Sequence, residues 1–202
     1  MAERGDEIHE ELQEIHEKSG GKKWVAVYIA VLAVALAITN MGASNSMKDM
    51  LSNNIHASNY WAFFQAKTIR QTTLRVAADD LSVLASAFPN MPEVAKKQLE
   101  DQAKRYRDTA ARYESDPKEG DGRKELMAKA QAHEKDRDKA QRKDPYFDFA
   151  EALIQIAIVL ASVSLIAGSR LLLVVSIVMA IAGGFLSLNG FTLAVAVGFL
   201  EH

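Results

Sequence analysis

The stretch Trp24 to Met41, WVAVYIAVLAVALAITNM, carries no charge, and its reading decides the fold. It is about 18 residues long, close to the minimum that crosses a hydrocarbon core as a helix. Lys22-Lys23-Trp24 puts lysines at headgroup level and an indole at the interface. Asn40, Ser44, Asn45 and Ser46 mark the exit into water. No proline follows until Pro89, and Gly42 is the only glycine between Trp24 and Phe88. The sequence therefore predicts a membrane span over 22–42 that continues without a breaker into a long helix over 43–88. Ala26, Ala30, Ala33 and Ala37 give the span a slim face of the small-xxx-small type, which lets helices approach closely.

Two more apolar runs lie near the carboxyl end. Tyr146, Phe147 and Phe149 read as an aromatic girdle opening a second span over 146–169, again about 18 apolar residues by the same measure. Gly168-Ser169-Arg170 allows only a tight turn before a third span over 170–199. That run is roughly 40 Å long if wholly helical, too long for one perpendicular crossing. Gly183-Gly184 and Asn189-Gly190 are expected to kink or interrupt it, with the crossing ending near Asn189. Ser164/Gly168 and Ala180/Gly184 suggest further close helix contacts. The fold class expected is all-α: an integral membrane protein with three transmembrane helices and an extramembrane, coiled-coil-like helical domain.

Between these runs the chain is polar. Over 43–88 the pattern is helical, and two stripes stand out. Ile55, Ala62, Ala66, Ile69, Val76 and Val83 form a small or β-branched stripe. His56, Tyr60, Phe63, Lys67 and Arg70 form an aromatic and cationic one. The second stripe has the groups to hold an anion or headgroup phosphate. Packing on another subunit, with Lys67 and Arg70 snorkelling past aromatic neighbours, is the preferred reading. Phe88-Pro89-Asn90-Met91-Pro92 breaks the helix, and a charged hairpin occupies 89–145. One arm has a thin seam of Leu99, Ala103, Tyr106, Ala110 and Tyr113; the other has Leu126, Ala130, His133, Arg137 and Ala140. Ser115 to Gly122 is a turn by composition. So little apolar surface does not offset the entropy of ordering two helices, so the hairpin needs the long helix or further copies to lean on.

At 202 residues with a formal net charge of -2, the chain lacks the concentrated basic face that nucleic acid requires. It has no cysteine, hence no disulfide framework, thiolate metal site or thiol nucleophile. The first segment, 1–21, reads as an acidic amphipathic helix with Ile8, Leu12 and Ile15 on one face, ended by Ser19-Gly20-Gly21. His9 and His16 lie two turns apart on it. Two histidines at that spacing are poor chelators, so solvated side chains are expected and no metal or cofactor is assigned. The acidic helix and the missing cleavage site argue against a signal peptide, and Leu200-Glu201-His202 reads as a tag remnant.

No phosphate loop, His-Glu-x-x-His, nucleophile elbow or dinucleotide fingerprint is present, and no enzyme is expected. The candidate sites are therefore faces. His56, Tyr60, Trp61, Phe63, Gln65, Lys67 and Arg70 make a candidate interaction face. Asn40, Glu151, Gln155 and Asn189 are candidate intramembrane or interfacial polar groups, for which interfacial solvation is the preferred reading of Glu151.

The stretch Ile55-His56-Ala57-Ser58-Asn59-Tyr60-Trp61-Ala62-Phe63-Phe64-Gln65-Ala66-Lys67 resembles the Trp-aromatic-Gln-Ala-Lys signature of a bacterial membrane-protein family known only as a domain of unknown function. The order of parts is similar over nearly the whole chain, the specific portion being Trp61, Gln65, Ala66 and Lys67. Members often carry a richer basic cluster between the last two spans, where this chain has Arg170 alone. The resemblance implies location and architecture and carries no activity.

Three crossings place the termini on opposite sides. Lys18, Lys22, Lys23 and Arg170 favour the amino-terminal side as cytoplasmic and the helical domain as periplasmic, although the middle segment exceeds the about 60-residue limit within which loop charge decides. The expected function is that of a homo-oligomeric structural or interaction protein of the bacterial inner membrane with a projecting helical domain. Its partners are the lipid bilayer and further copies. A subunit of an oligomeric channel or transporter is the runner-up, and a metal-responsive adaptor using His9 and His16 is third.

Overall fold

The computed structural model describes the backbone of residues 2–198 and the side chains of residues 23–198. The seam of Ile8, Leu12 and Ile15, the histidines His9 and His16, and the Leu200–His202 remnant lie outside the described side chains. Among the described residues there are five helices and no strand: α1 (Ala2–Ala87), α2 (Glu93–Glu114), α3 (Arg123–Gln141), α4 (Asp144–Ala167) and α5 (Arg170–Thr192). Three segments, Lys23–Ala87, Arg123–Ala167 and Arg170–Thr192, contain windows long and apolar enough to cross a membrane. α1 is not ended by Ser19-Gly20-Gly21, where the sequence predicted a stop. A glycine in a helix costs about 1 kcal/mol but does not forbid it.

The chain divides into two units. The first holds the described residues up to Lys48 and those from Ala140 onward. In its part of α1, Val25, Leu32, Thr39 and Ser46 are buried at steps of seven. α4 buries Phe147, Ala150, Ile154, Ala157, Ala161 and Ser164 at alternating steps of three and four, and α5 buries Ser176, Gly183, Ser187 and Gly190. Leu32, Ile154 and Ala157 form the core, with Tyr28, Leu36, Ile158, Met179 and Ala180 packed on it. Most buried faces are alanine, serine or glycine, which lets helix axes approach closely.

Hydroxyl chains tie these helices together. Ser176 Oγ donates to Ala157 O at 2.7 Å, so the Tyr28 hydroxyl at 3.1 Å is left to donate to Ser176. Thr39 Oγ1 donates to Ala35 O at 2.9 Å and accepts from Ser187 Oγ at 2.8 Å. α4 stops at Gly168, whose φ of 66° suits glycine and whose N–H reaches Ser164 O.

Two expectations are corrected in this unit. Tyr146 and Phe147 are not girdle residues: both are 1 % exposed, and of the three aromatics Phe149 alone is exposed. The Phe147 ring fills space left by two glycines, since an added Cβ at Gly42 would stand 2.7 Å from it and one at Gly190 2.9 Å. Gly183-Gly184 does not interrupt α5, which is continuous to Thr192. Gly183 instead admits α4, because a Cβ there would meet Ile154 Cγ1 at 2.9 Å and Ala150 O at 3.1 Å. The slim face of Ala26, Ala30, Ala33 and Ala37 is exposed within the chain.

The second unit is Asp49–Lys139. Here α1 buries Ala57, Gln71, Ala78 and Ala85, all on one seven-residue register. α2 buries Ala103 and Ala110, and α3 buries Leu126 and Ala130, all on the seams expected from the sequence. The turn between α2 and α3 is fixed by side chains. Ser115 Oγ donates to Glu125 Oε1 at 2.6 Å and the Asp116 N–H to Glu125 Oε2 at 3.2 Å. The Ser115 hydrogen bond, against desolvation, holds the Glu125 carboxyl below its ordinary range. At Gly122 any Cβ would lie 2.5 Å from the Asp116 backbone nitrogen, so this position requires glycine.

Candidate functional site

The candidate interaction face on α1 splits in two when its residues are placed. One part points inward, toward α2 and α3 of the same unit. Trp61 Nε1 donates to Glu134 Oε1 at 2.9 Å, with its ring edge-on to Phe64 at 5.4 Å. His56 and Tyr60 both stack on His133 of α3, at 5.0 and 5.5 Å between centroids. His133 Nδ1 lies 2.8 Å from Asn53 Oδ1. Because the Asn53 amide nitrogen is engaged with Asp49 O, its oxygen accepts, and His133 carries a proton on Nδ1. Lys67 Nζ donates to Asp121 Oδ2 at 2.7 Å and sits over the Tyr113 ring at 4.8 Å. That hydrogen bond is the main cause that holds Asp121 below the usual carboxylate range.

The other part points outward. Phe63, Gln65 and Arg70 are exposed, as are Ala62 and Ala66. The Trp-aromatic-Gln-Ala-Lys stretch therefore serves two faces: Trp61, Phe64 and Lys67 fasten α1 to the hairpin, while Gln65 and Ala66 look away from it. The small or β-branched stripe is wholly outward, with Ile55 51 %, Ile69 67 %, Val76 54 % and Val83 65 % exposed.

The centre of the inner face was not foreseen. Gln71, 1 % exposed, donates through Nε2 to Ala110 O at 3.0 Å and to Glu114 Oε2 at 2.9 Å, and accepts at Oε1 from Arg123 Nη1 at 2.7 Å. Arg123 Nη1 also reaches Glu114 Oε2 at 2.8 Å, its Nε reaches Thr68 Oγ1 at 2.9 Å, and its guanidinium lies 4.9 Å from the Phe64 centroid. Three helices thus meet in one hydrogen-bonded node. Glu114 is held below its ordinary value chiefly by the Gln71 hydrogen bond, against desolvation, with help from Arg123. The available signal was the seven-residue recurrence of Ala57, Phe64, Gln71, Ala78 and Ala85, in which Gln71 occupies a seam position.

Of the candidate polar groups near the spans, Asn189 is buried and Asn40 and Gln155 are exposed. Asn189 Nδ2 donates to Val195 O at 2.7 Å and its Oδ1 accepts from Val195 N at 2.9 Å. Tyr146 holds the same segment, donating to Val195 O at 3.2 Å and accepting from Val197 N at 3.0 Å. Gln155 Nε2 donates to Glu151 Oε1 at 2.8 Å along one side of α4. The structure brings Gln155 and Glu151 together, while Asn189 bonds Val195.

Among the described residues no buried side-chain nitrogen or oxygen lacks a hydrogen-bond partner, and no three histidine or carboxylate side chains converge on a common point. Chemically, the inner face fixes the register of three helices, and the outer face is exposed on the chain. No curated protein and no solved structure matches this chain. A family model described as a domain of unknown function, DUF4337, matches residues 21–193, and the chain belongs to that family.

Proposed function

We propose that this protein is a homo-oligomeric structural or interaction protein of the bacterial inner membrane. Its three apolar helices lie in lipid, and its charged three-helix unit, coiled-coil-like in its seven-residue seams, lies in water. The observation that carries this reading is the distribution of large apolar side chains. Val31, Val34 and Ile38 of α1, Val159, Val163 and Ile166 of α4, and Val174, Val178 and Ile181 of α5 are each 44–89 % exposed, while serine, threonine and asparagine hydroxyl or amide groups are turned inward. A chain in water buries the first set and solvates the second; hydrocarbon around the helices reverses the preference. Short basic segments at Lys18, Lys22, Lys23 and Arg170 support a cytoplasmic amino terminus and a periplasmic helical unit.

Self-association is supported by the faces that a single chain leaves open: the slim alanines of the first span and the uncharged stripe of α1 in the second unit. No reaction is part of this reading. The polar side chains inside the bundle bond one another or the backbone, so they give the channel reading no support. Mass measurement after extraction in a mild detergent tests the proposal. A defined multiple of the chain mass is expected, and a clean monomer at all protein concentrations contradicts it.

A further inference from the structure

The outward side of α1 in the second unit is unusual for a helix in water. Positions 51, 52, 55, 58, 59, 62, 65, 66, 69, 72, 73 and 76 are Leu, Ser, Ile, Ser, Asn, Ala, Gln, Ala, Ile, Thr, Thr and Val, and every one is exposed. None is charged, although α2 and α3 of the same unit are covered with charges of both signs. The strip has its own seven-residue seam, Ile55, Ala62, Ile69, Val76 and Val83, on the side of α1 away from the buried Ala57, Gln71, Ala78 and Ala85. A helix face with an exact heptad step is the complement of another helix at a shallow crossing angle.

From this we infer that the strip pairs in parallel with the same strip of a second copy, residue against equivalent residue. The inference rests on the membrane reading above: copies anchored in one bilayer with one orientation meet side by side with their α1 helices running the same way. In such an isologous contact each side chain faces its own equivalent. A lysine or glutamate there would meet like charge. Serine, threonine, asparagine and glutamine each carry both a donor and an acceptor and pair with themselves. The strip contains only apolar residues and these four polar types until Asp79 and Asp80 close it. A different protein as partner would leave no reason to exclude charge.

Side-chain size agrees at one of the two seam positions: β-branched Ile55, Ile69 and Val76 recur where parallel two-stranded pairs carry such residues, the other position holds Ser58, Gln65 and Thr72, and Ala62 and Ala66 allow close approach midway. From Leu51 to Val76 the strip is about 38 Å long and roughly 10 Å wide, or on the order of 400 Å² per copy. That is less than two free proteins need for a specific interface, and anchoring in a shared membrane raises so small a contact to useful occupancy.

The cysteine-free chain makes the test direct. Single variants Ile55→Cys, Ile69→Cys, Val76→Cys and Arg70→Cys are treated in native membranes with a short bismaleimide. Arg70 is exposed on the same helix but lies a quarter-turn away from the seam. Covalent dimer is expected at 55, 69 and 76, at least five-fold above that at 70. Equal yield at all four positions, or none at the seam, overturns the inference. Dimer only in mixtures of Ile55→Cys with Thr73→Cys chains shows antiparallel pairing and also overturns it. A seam that stays silent while the detergent mass remains oligomeric leaves the proposed function standing and removes this interface alone.

Discussion

Arg123→Met is expected to destabilise the second unit by about 2–3 kcal/mol, several times the cost of any surface charge removed from α2 or α3. Its side chain is 23 % exposed and serves Gln71, Glu114 and Thr68 at 2.7–2.9 Å, so truncation strips a donor from the buried Gln71 oxygen and leaves Glu114 paired with Arg75 at 3.9 Å. Arg107→Ala is the comparison: the Arg107–Asp79 pair spans 3.4 Å with side chains 53 % and 73 % exposed, and pairs so exposed are worth less than about 1 kcal/mol. Thermal unfolding followed by circular dichroism reads both. Equal effects for the two variants contradict the idea that the node holds the three helices together.

The node also fixes a pH dependence. Glu114 in the folded chain loses its proton below the ordinary carboxylate range, so the unfolded chain binds that proton at higher pH. The stabilisation is complete above the unfolded value and disappears as pH falls through the folded one. Because the Gln71 hydrogen bond is the largest single cause, Gln71→Leu is expected to flatten the acid limb of the stability curve.

Gly42→Leu is expected to cost about 3 kcal/mol in the first unit, the upper end for forcing extra volume into a packed core. A Cβ alone would stand 2.6 Å from Phe191 Cζ and 2.7 Å from Phe147 Cε1. Phe191 is 46 % exposed and able to turn aside, but Phe147 is buried and backed by Gly190. The clash is therefore decided at Phe147, and a double variant separates it from general damage. Phe147→Ala alone costs about 3–5 kcal/mol by opening a cavity. Combined with Gly42→Leu, the new side chain enters that cavity, and the double variant is expected to be less destabilised than the sum by at least about 1 kcal/mol. Strict additivity contradicts the packing described.

From residue 22 onward the sequence makes the order of the helices and the three apolar runs legible because their signals are local: charge-free stretches, Phe88-Pro89-Asn90-Met91-Pro92, and Gly168. The unbroken start of α1 is not legible, because Ser19-Gly20-Gly21 reads as a stop. The seams of α2 and α3 are legible for the same reason, since Ala103, Ala110, Leu126 and Ala130 stand out among charges. The inner seam of α1 is not. Its members are alanines and a glutamine, whereas the larger Ile55, Ile69, Val76 and Val83 lie on the outward side, so hydrophobicity favours the face that the unit leaves open. A slim seam works because the facing seams are also alanine-rich, and that is a relation between helices which no single helix reveals. Tyr146 and Phe147 mislead similarly: an aromatic pair at the start of a span reads as a girdle, and only Gly42 and Gly190 from two other helices show that Phe147 belongs inside. Gln71, read alone, is a surface residue; its buried role exists only once Glu114 and Arg123 are beside it.

Labelling of single cysteines in intact membranes with a membrane-impermeant maleimide tests the placement of the apolar helices most directly. Val34, Val159 and Val178 are 61 %, 60 % and 57 % exposed on the chain itself, and Glu119 is exposed in the turn between α2 and α3. Lipid around the first three predicts that Glu119→Cys reacts on the side its unit faces, while Val34→Cys, Val159→Cys and Val178→Cys stay unlabelled until a denaturing detergent dissolves the bilayer and opens them. Labelling of the three valine positions as fast as Glu119 in folded protein would show water where hydrocarbon is required, and would contradict the membrane placement on which the proposed function rests.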